Sequence, residues 1–210
     1  MKNAHLTRSA AVLAIAALGL AGCTTPNDDA DTATAPASQA PTSTGAEQGD
    51  GEQTGAANEA DIAFATGMIV HHRQAIEMSG IVLGAEGLRD SALGRETADL
   101  AVEIKKAQGP EIGQMEKMLG QWGAREDGHG DHGDMHGMIG EEDLDELREA
   151  SGEEAARLFL EQMIAHHDGA VEMAQTTIAD GQDPEARALA QEIIDAQNAE
   201  IAKMRSMLEG

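Results

Sequence analysis

Met68, His71, His72 and Met78 place two thioethers and two imidazoles within three helical turns, and Met163, His166, His167 and Met173 repeat them in the same order and spacing. At about 100° per residue, Met68, His71, His72, Ala75 and Met78 share one side of a helix, while Val70 and Glu77 point away. A face that joins soft sulfur to imidazole suits copper, above all Cu(I), better than it suits hard cations, which want carboxylate and carbonyl oxygen. The same residues have a second reading. In it the methionines are adaptable core filler, and the histidines sit hydrogen-bonded at a helix interface without metal. Adjacent histidines diverge by about 100° around a helix, so one shared site and two separate sites both stay open.

The elements that must position these groups are themselves duplicated. Phe64, Ile69, Ala75 and Glu77 return as Phe159, Ile164, Ala170 and Glu172. Behind them, Gln108, Glu111, Ile112, Met115, Met118 and Leu119 return as Gln197, Glu200, Ile201, Met204, Met207 and Leu208. One unit has been used twice. Gln108 and Gln197 interrupt an otherwise apolar stripe. A buried amide needs a partner, so each glutamine is expected to orient an imidazole on the facing helix; the alternative is a glutamine reaching out to the bundle edge.

The pattern predicts helices over 60–83, 90–122, 141–150 (short and acidic), 152–179 and from Pro184 onward. Gly109-Pro110 should kink or break the second, because proline removes an amide and crowds the carbonyl of Lys106. Ser151 and Glu154 are spaced as a capping box for the fourth, and Asp183-Pro184-Glu185 has the order of N-cap, first-turn proline and first-turn acid. The last stripe, Ala190, Ile194, Gln197, Ile201, Met204 and Leu208, steps by four and three, as in a helix nearly antiparallel to its neighbours. Two phenylalanines, one tryptophan and no tyrosine leave Leu, Ile, Val, Ala and Met to build the core, which favours helices over a sheet. The expectation is an all-α domain over 60–210, its four main helices forming a four-helix bundle of two duplicated helical hairpins.

Between the halves, 123–140 is a glycine-rich loop carrying His129, His132, Met135, His136 and Met138. Such a tract reads by composition as metal-binding, or as a linker with hydrated histidines. Asp127, Asp131 and Asp134 do not fit the spacing of a calcium loop. At the other end of the chain, Lys2 and Arg8 precede an apolar run that closes on Leu20-Ala21-Gly22-Cys23. Residues 1–22 resemble a bacterial lipoprotein signal, which implies cleavage before Cys23 and lipidation of that residue; an ordinary secretory signal is the alternative. Residues 23–59 have no apolar periodicity and read as a disordered tether with a reach of roughly 30 to 35 Å. The protein is therefore expected to be exported and lipid-anchored in the cell envelope, on its periplasmic or extracellular face.

With 14 Lys and Arg against 38 Asp and Glu, the formal net charge is −24, which repels nucleic acid and draws cations. Cys23 is the only cysteine, so the folded part has neither a disulfide nor a thiolate site, and any soft ligand must be methionine.

The doubled Met-Ile-x-His-His-x-x-Ala-[Ile/Val]-Glu-Met motif and the trailing Gln-x-x-Glu-Ile-x-x-Met, over about 60–208, resemble a known bacterial family, the exported proteins of domain of unknown function 305. The resemblance implies a ferritin-like helical bundle and, since some members bind copper, points to Met68, His71, His72, Met78, Met163, His166, His167 and Met173 as ligands for Cu(I) or Cu(II). Two functional classes follow. One is a membrane-tethered protein that captures copper and sequesters it or hands it to a carrier. The other is a non-enzymatic structural or interaction module of the envelope in which the His-Met faces pack helices together, within one chain or between chains of a homo-oligomer. A carboxylate-bridged metal oxidase is not expected: it needs Glu three residues before a helical His, and those positions are Met68, Ile69, Met163 and Ile164. Nor is there a nucleophile with a partnered histidine, so the chain does not read as an enzyme.

Overall fold

The computed structural model describes residues 57–125 and 136–210. The signal segment, Cys23, nearly all of the tether, and His129, His132 and Met135 lie outside the described residues. Those described form five α-helices and one 3-10 turn: α1 (Glu59–Gly84), the turn Leu88–Asp90, α2 (Ala92–Trp122), α3 (Glu141–Glu149), α4 (Gly152–Asp180) and α5 (Pro184–Glu209). The all-α expectation holds, but the helix count is five. Four helices are long and the fifth, α3, has 9 residues; its Leu144 and Leu147 are buried, so it is part of the packed domain.

Most boundaries have a local cause. Asn58 and Asp61 form a reciprocal capping box at the start of α1. Ser91 accepts from the Gly94 amide at 2.9 Å to open α2, and Gly123, in the left-handed conformation, closes it. Asp183 caps α5 through the Glu185 and Ala186 amides, each at 2.9 Å, with Pro184 in the first turn as expected.

Of the two outcomes expected at Pro110 the break does not occur, and the cap expected at Ser151 is absent. The helix does not break at Pro110: α2 runs unbroken through it, because Gly109, Pro110 and Lys106 all lie on the exposed side, where a carbonyl that loses its partner can turn to solvent. The capping box at Ser151 does not form, and its side chain makes no cap hydrogen bond. Gly152 takes a φ of +58° there, turning its amide onto the Glu86 carbonyl at 2.8 Å and carrying the chain into α4 by another route.

α1 packs on α2 and α4 on α5, giving two hairpins whose leading helices, α1 and α4, cross antiparallel, with α3 lying against both. Two apolar clusters result. Phe64, Met68 and Ile69 of α1 join Met115 and Leu119 of α2, Ala170 and Ala174 of α4, and Leu189 and Ile193 of α5. At the other end Met78 and Val82 join Ala101 and Ile104, Phe159, Leu160 and Met163, and Ile201 and Met204. The clusters are related by the sequence repeat: Phe64, Met68 and Met115 stand at one end where Phe159, Met163 and Met204 stand at the other. Among the described residues, no helix is long and apolar enough to cross a membrane.

Asp61 joins the two hairpins. Fully buried, its Oδ2 accepts the amides of Asn58 at 2.9 Å and of Gln182 and Asp183 at 3.0 Å each, tying the start of α1 to the α4–α5 turn. Trp122 Nε1 donates to Asp183 Oδ2 at 3.2 Å and brings the end of α2 to the same turn. Asp61→Ala would leave three amides without their charged acceptor and should lower unfolding free energy by about 3 kcal/mol. Asp61→Asn, which keeps one acceptor oxygen, should lose less; denaturant unfolding of the two variants checks the ranking.

Candidate metal centre

Between the two apolar clusters lies a polar layer. On α1 it falls between Ile69 and Ala75, and on α4 between Met163 and Ala170, the stretches that carry the paired histidines. The matching stretches of α2 and α5 hold Gln108 and Glu111, and Gln197 and Glu200. The periodicity of both leading helices drives the imidazoles inward: His71, His72 and His167 are 0 % exposed and His166 is 1 %. Because α1 and α4 cross here, the central pair meets across the repeat axis, the rings of His71 and His166 being 3.8 Å apart between centroids and tilted by 38°. His167 stands beside them, 6.2 Å from His166.

The outer members are each held from the second helix of their own hairpin. His72 Nε2 lies 2.7 Å from Glu111 Oε2, and His167 Nε2 lies 2.7 Å from Glu200 Oε2. Gln108 and Gln197, expected to orient the imidazoles, do not: both are buried, and their Oε1 atoms find no protein partner. Glutamate three residues further along, one turn away on the same face, reaches the ring and offers a stronger acceptor. The Gln-x-x-Glu repeat contained this signal, since a carboxylate is a common partner of a metal-binding imidazole.

The inner pair is treated asymmetrically. His71 Nε2 donates to the His136 carbonyl at 3.2 Å, whereas neither ring nitrogen of His166 has a protein partner. The His136-Gly137 segment reaches His71 because it presses against α4 at Gly169. A Cβ on Gly169 would collide with the His136 carbonyl, and Gly137 itself needs a φ of +80°. Gln74 pins the following residue pair, donating to the Ile139 carbonyl and accepting from its amide, both at 2.8 Å.

Burial pushes the His71 imidazole down to about 3, helped by neighbouring His72 and His167. His166 is likewise held well below the usual histidine range by burial first, then by His71, His167 and His72. Both rings are therefore neutral at pH 7, the form in which imidazole binds metal.

The methionines divide. Met68 and Met163 are fully buried on opposite sides of the layer, one turn before their histidines, and Met78 is buried in the cluster that holds Met163. Met173 is half-buried and lines a cleft of about 310 Å³ with Phe64, Glu172, Thr176 and His136, whose Nδ1 is 3.4 Å from Glu172 Oε2. The cleft thus brings together Met173 and His136, while Met138 is half-buried on the segment that covers His71. A larger cleft of about 780 Å³, between α3 and α4, is lined mainly by glutamates and has neither histidine nor methionine. Among the described residues, no three His, Cys, Asp or Glu side chains already converge as a metal site. Sulfur would have to complete the set, and thioether with imidazole favours a soft ion.

Two outcomes follow from this geometry. The unfolded chain takes up protons at His71 and His166 near the ordinary value of about 6.5 while the folded chain does not, so stability is full above that pH and falls as pH drops toward the lowered folded values, about 3 for His71. Each ring contributes a slope approaching about 1.4 kcal/mol per pH unit, and a flat profile between pH 6 and 5 in urea titrations would contradict neutral burial. Gly169→Ala should push His136-Gly137 off α4 and release His71. Solvent exchange of the His71 Nε2 proton, followed by NMR, should quicken by about tenfold or more.

Comparison with known proteins places this arrangement. The sequence pattern described as Domain of unknown function (DUF305) matches residues 61–208. A DUF305 protein of Streptomyces coelicolor, described as secreted, is 31 % identical, with 71 % of this chain and 91 % of that one covered and a TM-score of 0.64. A DUF305 fragment from Deinococcus radiodurans is 32 % identical over 74 % and 99 % of the two chains, also with a TM-score of 0.64. CopM in its Cu(I)-bound form is 30 % identical over 71 % of this chain and 95 % of its own, with a TM-score of 0.57, and CopM has also been solved with silver. No curated protein matches the chain. With the doubled helices and the histidine layer both inside the matched residues, the chain belongs to the DUF305 family.

Proposed function

We propose that this protein is an exported, lipid-anchored copper-binding protein that captures the ion outside the cytoplasm and either sequesters it or passes it to a carrier. The scaffold is read as a duplicated, ferritin-like four-helix arrangement with α3 added between its halves. The observation that carries the proposal is the buried layer of four imidazoles, five of whose ring nitrogens have no protein partner, with Met68 and Met163 on either side. Unpaired buried polar atoms cost about 1 to 3 kcal/mol each, so such a layer is poor packing unless it serves a ligand. Copper bound to CopM, a relative of similar fold, supports the same metal. The likeness of residues 1–22 to a lipoprotein signal, and a Streptomyces coelicolor relative described as secreted, support export.

His71, His72, His166 and His167, with Met68 and Met163, form the inner ligand set, and Met78 flanks it. Met173 with His136, and Met138 with His129, His132 and Met135 of the loop, supply outer ligands from which an ion is taken up. The role is binding rather than catalysis. The metal is cargo, and neither histidine pair has the Glu-x-x-His spacing of an oxidase centre.

Anaerobic titration with Cu(I) against a competing chelator tests this, using the parent chain, a chain lacking 126–135, and the quadruple replacement of His71, His72, His166 and His167 by Ala. Tight binding that survives loop removal and falls by at least about a hundredfold in the quadruple variant is expected, accompanied by a copper-dependent rise in melting temperature of the parent. Affinity unchanged in the quadruple variant would mean that the layer only packs helices.

A further inference from the structure

Glu111 and Glu200 do the same thing in two places. Each reaches from the second helix of its hairpin, α2 or α5, to Nε2 of a fully buried imidazole, His72 or His167, at 2.7 Å. Each carboxylate is itself partly in water, with 23 % and 21 % of its side chain exposed. Its charge is thus solvated on one side and hydrogen-bonded on the other. Nδ1 of both rings is buried and has no protein partner.

A neutral imidazole carries one N–H, and an ionised carboxylate can only accept. The nitrogen that faces the carboxylate is therefore the protonated one, and the opposite nitrogen keeps its lone pair. We infer that Glu111 and Glu200 are positioning residues: they hold His72 and His167 as the Nε2–H tautomer, turning Nδ1 of each ring into the bare nitrogen that takes up a soft monovalent ion. This deepens the copper reading and rests on it. The carboxylates also raise the basicity of the coordinating nitrogen and place two negative charges one ring away from the bound cation.

The arrangement accounts for three features of the layer. Nδ1 is unpaired in both rings, although a ring held only to pack helices gains nothing from an orphaned acceptor. The glutamates recur with the histidines at matching positions of both repeats. Gln108 and Gln197 stay unbonded to the rings because the nitrogens facing α2 and α5 are already occupied.

The test is the double substitution Glu111→Gln/Glu200→Gln in the full chain. A glutamine amide fills the same space but can present either a donor or an acceptor to Nε2, so the tautomer is no longer dictated. Two-bond nitrogen–proton correlation spectra of the metal-free parent should show His72 and His167 as Nε2–H tautomers, with Nδ1–H forms appearing in the variant. Cu(I) affinity by chelator competition should fall 10- to 100-fold, and the melting curve checks that the variant is folded. A variant that binds Cu(I) as tightly as a binding-competent parent would overturn the inference and leave the copper reading standing. A parent whose His72 and His167 are Nδ1–H or doubly protonated would overturn it even if the variant failed to fold. A parent that binds no Cu(I) would overturn the copper reading and the ligand role of Nδ1 together.

Discussion

Four imidazoles buried where two helices cross set the terms for the rest of the domain. An imidazole with no water around it must stay neutral, find acceptors for its N–H, and have its apolar edges packed. Different elements answer these requirements, and only the N–H of His166 is left without a protein acceptor. For His71 and His166, neutrality comes from burial first and then from the neighbouring rings. Acceptors come from α2 and α5, whose glutamates stand at the height of the outer histidines. Packing comes from the two apolar clusters above and below, to which Met68 and Met163 belong. Few aromatic side chains are present to fill such a crossing, and flexible methionine adapts to the ring edges.

Duplication explains why the layer is doubled and also where it is not. Repeated sequence on α1 and α4 puts equivalent residues on equivalent faces, and an antiparallel crossing brings His71 to His166 and sends Phe64 and Phe159 to opposite ends. The connection between the halves occurs once, so its contacts cannot be symmetric. His136 reaches His71 and leaves His166 without a counterpart acceptor, and Gly137 and Gly169 together let the segment approach α4 so closely. The inner pair is thus chemically inequivalent within a repeated scaffold: one ring has a proton held by a carbonyl, the other has both nitrogens unpaired. Asp61 plays a related part at the end of the domain, where its single carboxylate binds amides of both hairpins.

Much of this was legible in the residues. The period of Met68, His71, His72 and Met78 specified helix and inward face, the repeat specified two hairpins, and Asp183-Pro184 specified the start of α5. What misled was local chemistry read without its surroundings. Pro110 breaks a helix only where the freed carbonyl has nowhere to turn, and it lies on the exposed side of α2. Ser151 caps a helix only if the next residue keeps ordinary torsions, and Gly152 does not. A buried amide at Gln108 needs a partner, yet side-chain reach across two packed helices decides which residue meets the histidine, and Glu111 has that reach.

The all-helical character, the doubling, the inward facing of the histidines and the soft donor set follow from residue order alone, because helical period and residue chemistry are local properties that survive any packing. Tertiary structure alone decided which ring meets which, which nitrogen is occupied and which glycine admits the loop. Those follow from the crossing of α1 with α4 and the register of α2 and α5 against them, where a shift of one turn would exchange glutamine for glutamate at the ring.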